Sequence, residues 1–291
     1  MPRDEILAGG PVRDAIRAVD APGFASADDA KWVAPDTVVV GLALGGEARA
    51  YPVHLLEYHQ VVNDVVAGTP VVVSYDPLAG APVAFRAVVK EGEAPLRFGV
   101  SGLVFQSHAL LFDRESESLW SPLRGEAIAG PRAGTAIARL RVRQEAFAVW
   151  RHRHPDTRVL ERPDPERVDY RYSPFEAYWV SDTIPFPVAA RDDRYHPKEV
   201  ALGMEAGGVS RAYLGSVLTS AGGRVVDVIA GHRVHVAYDG AVGAFSWEAP
   251  EDVRVTDAYW FAWKAFHPDT GVWRPEGAAS APDDEGAAEG R

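Results

Sequence analysis

His59, Asp76 and His108 are the residues of this chain best suited to chemistry. Two imidazoles and one carboxylate brought to a point form a facial metal site, suited to iron, manganese or zinc, with positions left open for water or substrate. Their spacings of 17 and 32 residues match no local metal motif of the His-Glu-x-x-His kind, so only the fold can assemble them. Without a metal the same residues support acid–base catalysis. An imidazole titrates near neutrality, and Asp76 can orient it or share its proton. Asn63 joins this catalytic set, and Ser101, Gln106 and Ser107 supply donors for a substrate or a developing oxyanion. Arg114 and Trp120, in DRESESLW, extend the substrate-binding list, Arg114 as a clamp for a carboxylate.

Each reading has a plainer competitor. His59 can pack a short helix, and Asp76 can close a turn before Pro77, since Asp-Pro starts turns and Asp239 occupies the corresponding place later in the chain. Arg114 and Glu117 can form a turn-stabilising ion pair. His152 and His154 sit at a helix end and are expected not to be ligands. Gly99–Gly102 lacks the spacing of a nucleophile elbow, and no phosphate loop or dinucleotide fingerprint occurs.

The elements that must position these residues occur twice. GGEARAY (45–51) returns as GGVSRAY (207–213), NDVVAGTPVVVSYD (63–76) as VDVIAGHRVHVAYD (226–239), and AVWRHRHPDTRV (148–159) as FAWKAFHPDTGV (261–272). Three echoes in one order predict a tandem duplication. Each copy opens on a hairpin about a Gly-Gly turn, continues into a helix over 54–62 in the first copy and a second hairpin, and closes on an amphipathic helix stopped at His-Pro-Asp-Thr. The second copy lacks most of residues 86–135, where the first is richest in polar side chains. The predicted class is α+β and β-rich: a duplicated module of β-hairpins with a short helix and a closing helix. Residues 1–36 are assigned to an N-terminal extension, 37–160 to the site-bearing module 1, 161–197 to an aromatic linker packed across both modules, 198–275 to a shorter scaffold module 2, and 276–291 to a disordered acidic tail.

Composition narrows the function. A net charge of −11 argues against nucleic acid and against an anionic membrane surface as partners. The absence of cysteine removes disulfides, thiolate nucleophiles and cysteine-ligated metals. No stretch has the length of a signal peptide core or a membrane span, so a cytoplasmic protein is expected.

The segments GGPVRDAIRAVDAPGF, GGEARAYPVHLLEYHQVVND, FGVSGLVFQSHALLFDRESESLWSPLRGEAIAGP, FPVAARDDRYHPKEVALG and FAWKAFHPDTGVW resemble the domain of unknown function 3179 family over about residues 9–274. The resemblance implies a family histidine at His59 and a Cys-Pro-Leu-Cys stretch where this chain has Asp76-Pro77-Leu78-Ala79. It also implies a carboxylate or amide where this chain has His108. Thiol chemistry implied for relatives therefore does not transfer. The expected function is a small-molecule enzyme using the His/Asp pocket of module 1 by cofactor-free acid–base chemistry, as a cyclase, isomerase, lyase or hydrolase. A metal-dependent enzyme holding one divalent ion at His59, Asp76 and His108, and a non-catalytic ligand-binding protein descended from a thiol-using ancestor, stand as alternatives.

Overall fold

The hairpin turns follow from their residues. Gly45 and Gly46 (φ 58° and 86°) and Gly207 and Gly208 (54° and 80°) adopt the paired positive φ that a two-residue hairpin requires. Ala67-Gly68 and Ala230-Gly231 do the same, with both alanines at φ 47°. A computed structural model of the protein describes residues 3–275, so the acidic tail 276–291 lies outside the described residues. The chain runs through β1 (Ile6–Ala8), β2 (Phe24–Ser26), β3 (Val38–Leu44), β4 (Glu47–Pro52), α1 (Val53–His59), β5 (Val61–Val66), β6 (Thr69–Asp76) and β7 (Ala81–Arg86). A meander of β8 (Phe98–Phe105), β9 (His108–Asp113), β10 (Leu119–Ser121) and β11 (Glu126–Ala129) follows. Then come β12 (Arg139–Leu140), β13 (Val142–Ala146), α2 (Phe147–Arg153), β14 (Arg158–Leu160) and, in the linker, α3 (Glu176–Trp179). The second half comprises β15 (Val200–Ala206), β16 (Val209–Leu214), α4 (Gly215–Ser220), β17 (Arg224–Ile229), β18 (His232–Asp239), β19 (Ala244–Glu248), β20 (Arg254–Tyr259), α5 (Trp260–Phe266) and β21 (Gly271–Val272).

The protein is β-rich, and its strands form five small sheets arranged in a ring. The orders β13-β3-β4-β14 and β20-β15-β16-β21 match, each with two antiparallel pairings and a final parallel one. The meanders β5-β6-β7 and β17-β18-β19 match likewise. The inserted sheet β1-β8-β9-β10-β11 belongs to the first half alone. The N-terminal extension is built into the sheets: β1 pairs with β8, and β2 pairs with β14. The expected helix over 54–62 is shorter. Gln60, left-handed at φ 58°, ends α1 and its N–H returns to Leu56 O, so Val61 and Val62 begin a strand.

Side-chain contacts repeat as well. Tyr51 O–H donates to Asp64 at 2.7 Å, and Tyr213 O–H to Asp227 at 2.7 Å. Trp150 Nε1 donates to Thr157 at 2.9 Å, and Trp263 Nε1 to Thr270 at 2.9 Å. Each indole lies flat on a glycine: a Cβ at Gly41 would stand 2.4 Å from Trp150, and one at Gly203 would stand 2.2 Å from Trp263. His154 stacks on Trp150 and His267 on Trp263, which accounts for His154 as a packing residue.

The halves dock reciprocally. Closing strand β13 packs on β19, and β20 packs on β7. Arg139, Arg141 and Arg143, alternate residues of one edge, cross the junction to Thr256 Oγ1 (3.2 Å), to the carbonyls of Ala249 (2.9 Å), Pro250 (2.6 Å) and Val253 (2.8 Å), and to Trp247 O (2.6 Å). Asp257 is buried beside Glu145; burial first, and then that neighbouring charge, push its carboxyl up to about 8.

Two outcomes follow. Gly41→Ala and Gly203→Ala should each destabilise the protein by about 1–3 kcal/mol through overpacking against the indole, read from denaturant midpoints. Asp257 holds a proton in the folded state that the unfolded carboxyl gives up near pH 4. Stability should therefore fall as pH rises towards 8, by about 1.4 kcal/mol per pH unit for this group. Asp257→Asn should flatten the stability profile between pH 6.5 and 8. Identical profiles for the two proteins would refute the assignment.

Candidate functional site

The end of β6 carries the site. Asp76 terminates the strand in a turn in which its Oδ1 accepts the Leu78 N–H at 2.9 Å. Asp239 closes β18 the same way, with Ala241 N–H at 2.9 Å, so the structural reading of this aspartate holds in both halves. The insert then makes them different. Asp239 is exposed, whereas Asp76 is buried because β9 lies over it. Asp76 Oδ2 accepts the Ala109 N–H at 2.7 Å and faces His108 Nδ1 at 3.3 Å. His108 Nδ1 also lies 2.8 Å from the Ala109 carbonyl. Both neighbours of Nδ1 are acceptors, so Nδ1 bears the proton and Nε2 carries the lone pair. Nε2 is buried with no hydrogen-bond partner. Burial lowers the His108 pKa against the opposing pull of Asp76, which keeps the ring neutral at pH 7.

Three further elements converge here. The turn Gln106-Ser107 (φ 54° and 56°) presents His108 from two non-glycine residues in the left-handed region, a strain of order 1 kcal/mol each. From β20, Tyr259 N–H donates to Ala79 O at 2.6 Å, and its ring lies against Gly80, where a Cβ would stand 2.7 Å from it. Tyr259 and Tyr75 are hydrogen-bonded phenols whose pKa values burial raises first, with the charges of Glu57 and Asp76 adding to it. From the linker, Tyr178 O–H donates to Leu78 O at 2.7 Å, while Lys198 holds the carbonyl of Tyr178 at 2.7 Å and that of Ser181. Glu57 of α1 completes the group; burial pushes its carboxyl up to about 7, and its Oε2 is buried without a partner. The sequence marks Glu57 only as a charged residue amid the apolar residues of a short helix.

The other predicted residues lie elsewhere or serve the fold. His59 Nδ1 donates to Arg17 O at 3.0 Å and its Nε2 accepts from Tyr170 O–H at 2.6 Å, so both ring nitrogens are committed. His59 lines a cavity of about 360 Å³ with Arg17, Asp20 and Asp164, among others. The alternative of a three-ligand metal centre at His59, Asp76 and His108 is not assembled: among the described residues no group of three or more His, Cys, Asp or Glu side chains could hold a metal ion. Asn63 ties β5 to the insert through Phe98 O and N–H, both at 2.9 Å, and to Asp20 at 2.7 Å. Ser101 fills the bulge of β8, donating to Leu110 O at 2.5 Å and accepting from Leu103 N–H at 3.0 Å. Gln106 accepts from Ala189 N–H at 2.5 Å, and Ser107 Oγ is buried without a partner. Arg114 does not pair with Glu117. It grips Asp14 at 2.7 and 3.2 Å, and Glu117 pairs with Arg13 at 3.0 Å. Trp120 Nε1 donates to Asp113 at 2.8 Å inside the core.

The family model described as "Protein of unknown function (DUF3179)" matches residues 13–249. The chain belongs to the DUF3179 family. No curated protein and no solved structure matches it. In this DUF3179 chain Asp76 and His108 are in contact with each other. No helix among the described residues is long and apolar enough to cross a membrane.

Removing Asp76 leaves the Ala109 N–H and His108 Nδ1–H buried with one acceptor fewer. Asp76→Ala should cost about 2–4 kcal/mol, whereas Asp239→Ala, which loses only an exposed turn, should cost about 1 kcal/mol or less. Equal denaturation midpoints for the two variants would contradict this difference.

Proposed function

We propose that this protein is a small-molecule enzyme working by cofactor-free acid–base chemistry, with His108 as the base and Asp76 as the residue that orients it. One observation carries the reading: the buried imidazole whose Nδ1 is fixed by Asp76 while Nε2 is left unpartnered. A neutral ring so held takes a proton at Nε2 and leaves the imidazolium stabilised by the Asp76 carboxylate. Tyr75 and Tyr259, held protonated by burial, are donors for an oxygen on which charge develops. The matching strand orders and paired contacts support descent of the two halves from one duplicated module, with the insert converting the Asp76 turn into a catalytic pair.

His108 is only 1% exposed, and this favours a second reading, a binding shell without turnover. The linker segment around Tyr178 roofs the cluster, and in the enzyme reading it moves to admit substrate.

A panel of small carbon acids and esters, followed by NMR in deuterium oxide for exchange or turnover, separates the two. Wild type should act on at least one compound, and His108→Gln should lose about 10²–10⁴-fold in rate while remaining folded. His152→Gln with His154→Gln should leave the rate unchanged. Full activity in His108→Gln would remove His108 from the mechanism. Binding without turnover in wild type would establish the shell.

A further inference from the structure

The linker and α1 enclose a second cavity whose lining includes neither Asp76 nor His108. It is a cleft of about 700 Å³, within the size range of small-molecule sites. Trp32 of the N-terminal extension, His54 of α1, and Arg162, Arg167 and Arg171 of the linker line it, with Glu166 and Asp169 on the same walls.

The arginines are not equivalent. Arg171 is bound by Asp169 at 2.8 and 2.7 Å, and Arg167 lies 3.9 Å from Asp164. Arg162 makes no hydrogen bond or ion pair among the described residues, and its guanidinium lies 5.9 Å from the Trp32 ring centre. The cleft therefore presents one uncommitted guanidinium beside an indole. His54 is close enough to feel it: burial, and then the Arg162 charge, lower its imidazole to about 4. At pH 7 that ring is a neutral hydrogen-bonding group and adds no second positive charge.

We infer that this cleft binds a small planar monocarboxylate, with the carboxylate on Arg162 and the flat body of the ligand against Trp32. A guanidinium fork matches a carboxylate bidentately. An indole wall favours a flat apolar body over a hydrated one. Three arginines against Glu166 and Asp169, the latter neutralised by Arg171, leave one positive charge in excess, which matches a monoanion better than a phosphate dianion.

Titration of the full-length protein with benzoate, acetate, benzyl alcohol and inorganic phosphate tests this, read from the indole N–H signals in two-dimensional NMR. Benzoate should bind with a Kd of about 1 mM, a reasonable affinity for a ligand of its size. It should shift Trp32 Nε1–H and leave the core indole of Trp120 unmoved. Acetate and benzyl alcohol, each lacking one half of the recognition, should bind at least about tenfold more weakly. Arg162→Ala should weaken benzoate about 10–100-fold, as loss of a charged hydrogen-bonding partner does. Trp32→Leu should weaken benzoate and leave acetate unchanged. Because Arg162 is exposed, Arg162→Ala should fold normally, and an unchanged amide spectrum away from the cleft verifies that. Benzoate affinity unaltered in Arg162→Ala, phosphate bound more tightly than benzoate, or no shift at Trp32 with 20 mM benzoate would each overturn the inference.

Discussion

Reciprocal docking of the two closing strands is the constraint on which the rest of this structure depends. With β20 on β7 and β13 on β19, neither half completes its own packing without the other. The largest core cluster shows this directly, since it mixes Phe85 of β7 and Trp120 of the insert with Ala201, Trp260 and Trp263 of the second half. The junction is not simply apolar. Arginines cost free energy to bury, and here they recover it by donating to backbone carbonyls that would otherwise be left unpaired. The same docking lays Tyr259 on the loop after Asp76, so the site forms only when both halves are in place.

Asymmetry grows out of that near-symmetric frame. Asp76 and Asp239 form the same turn, and they differ in what lies over them. Asn63 and Val226 occupy corresponding strand positions. The amide stitches β5 to β8, while the exposed valine on β17 has no inserted sheet to meet. An insert packed on one copy of a turn removes water from a carboxylate there, and each buried polar group must then find a partner nearby. His108 and the Ala109 N–H are those partners.

Much of the frame was legible in the sequence because it rests on local rules. Gly-Gly turns, strand alternation and the Trp before His-Pro-Asp-Thr all mark elements without knowledge of tertiary contacts. The Asp76–His108 pair was partly legible, since both stood out as chemically suited and as departures from the pattern the resemblance implies. His59, grouped with them by residue type, is committed to other partners. Glu57 and His59 are two residues apart on α1, so they project about 200° apart around the helix axis. Glu57 acts on Tyr75 and Tyr259, and His59 faces Arg17 and Tyr170 instead. Arg114 failed for another reason: its partner Asp14 lies 100 residues away, on an extension whose course no local pattern reveals.

Two histidines, His59 on α1 and His108 on β9, differ in how hydrogen bonding commits their ring nitrogens. His59 commits both nitrogens, one to a carbonyl and one to a phenol, so a proton or a metal taken at Nε2 would each break the bond from Tyr170. Its work is to pin the linker to the first half through Tyr170. His108 spends one nitrogen and keeps the other free, which is the arrangement a base needs. Beside this pair, at Leu78, lies the linker segment that includes α3, four residues long and too short to be stable without tertiary contacts. That segment is held by Tyr178 on Leu78 O, by Lys198 on its own carbonyls, and by Tyr178, Trp179, Ile184 and Val188 packed against the core cluster. In the proposed enzyme these contacts must be given up to admit substrate, whereas the interlocked sheets beneath need not move.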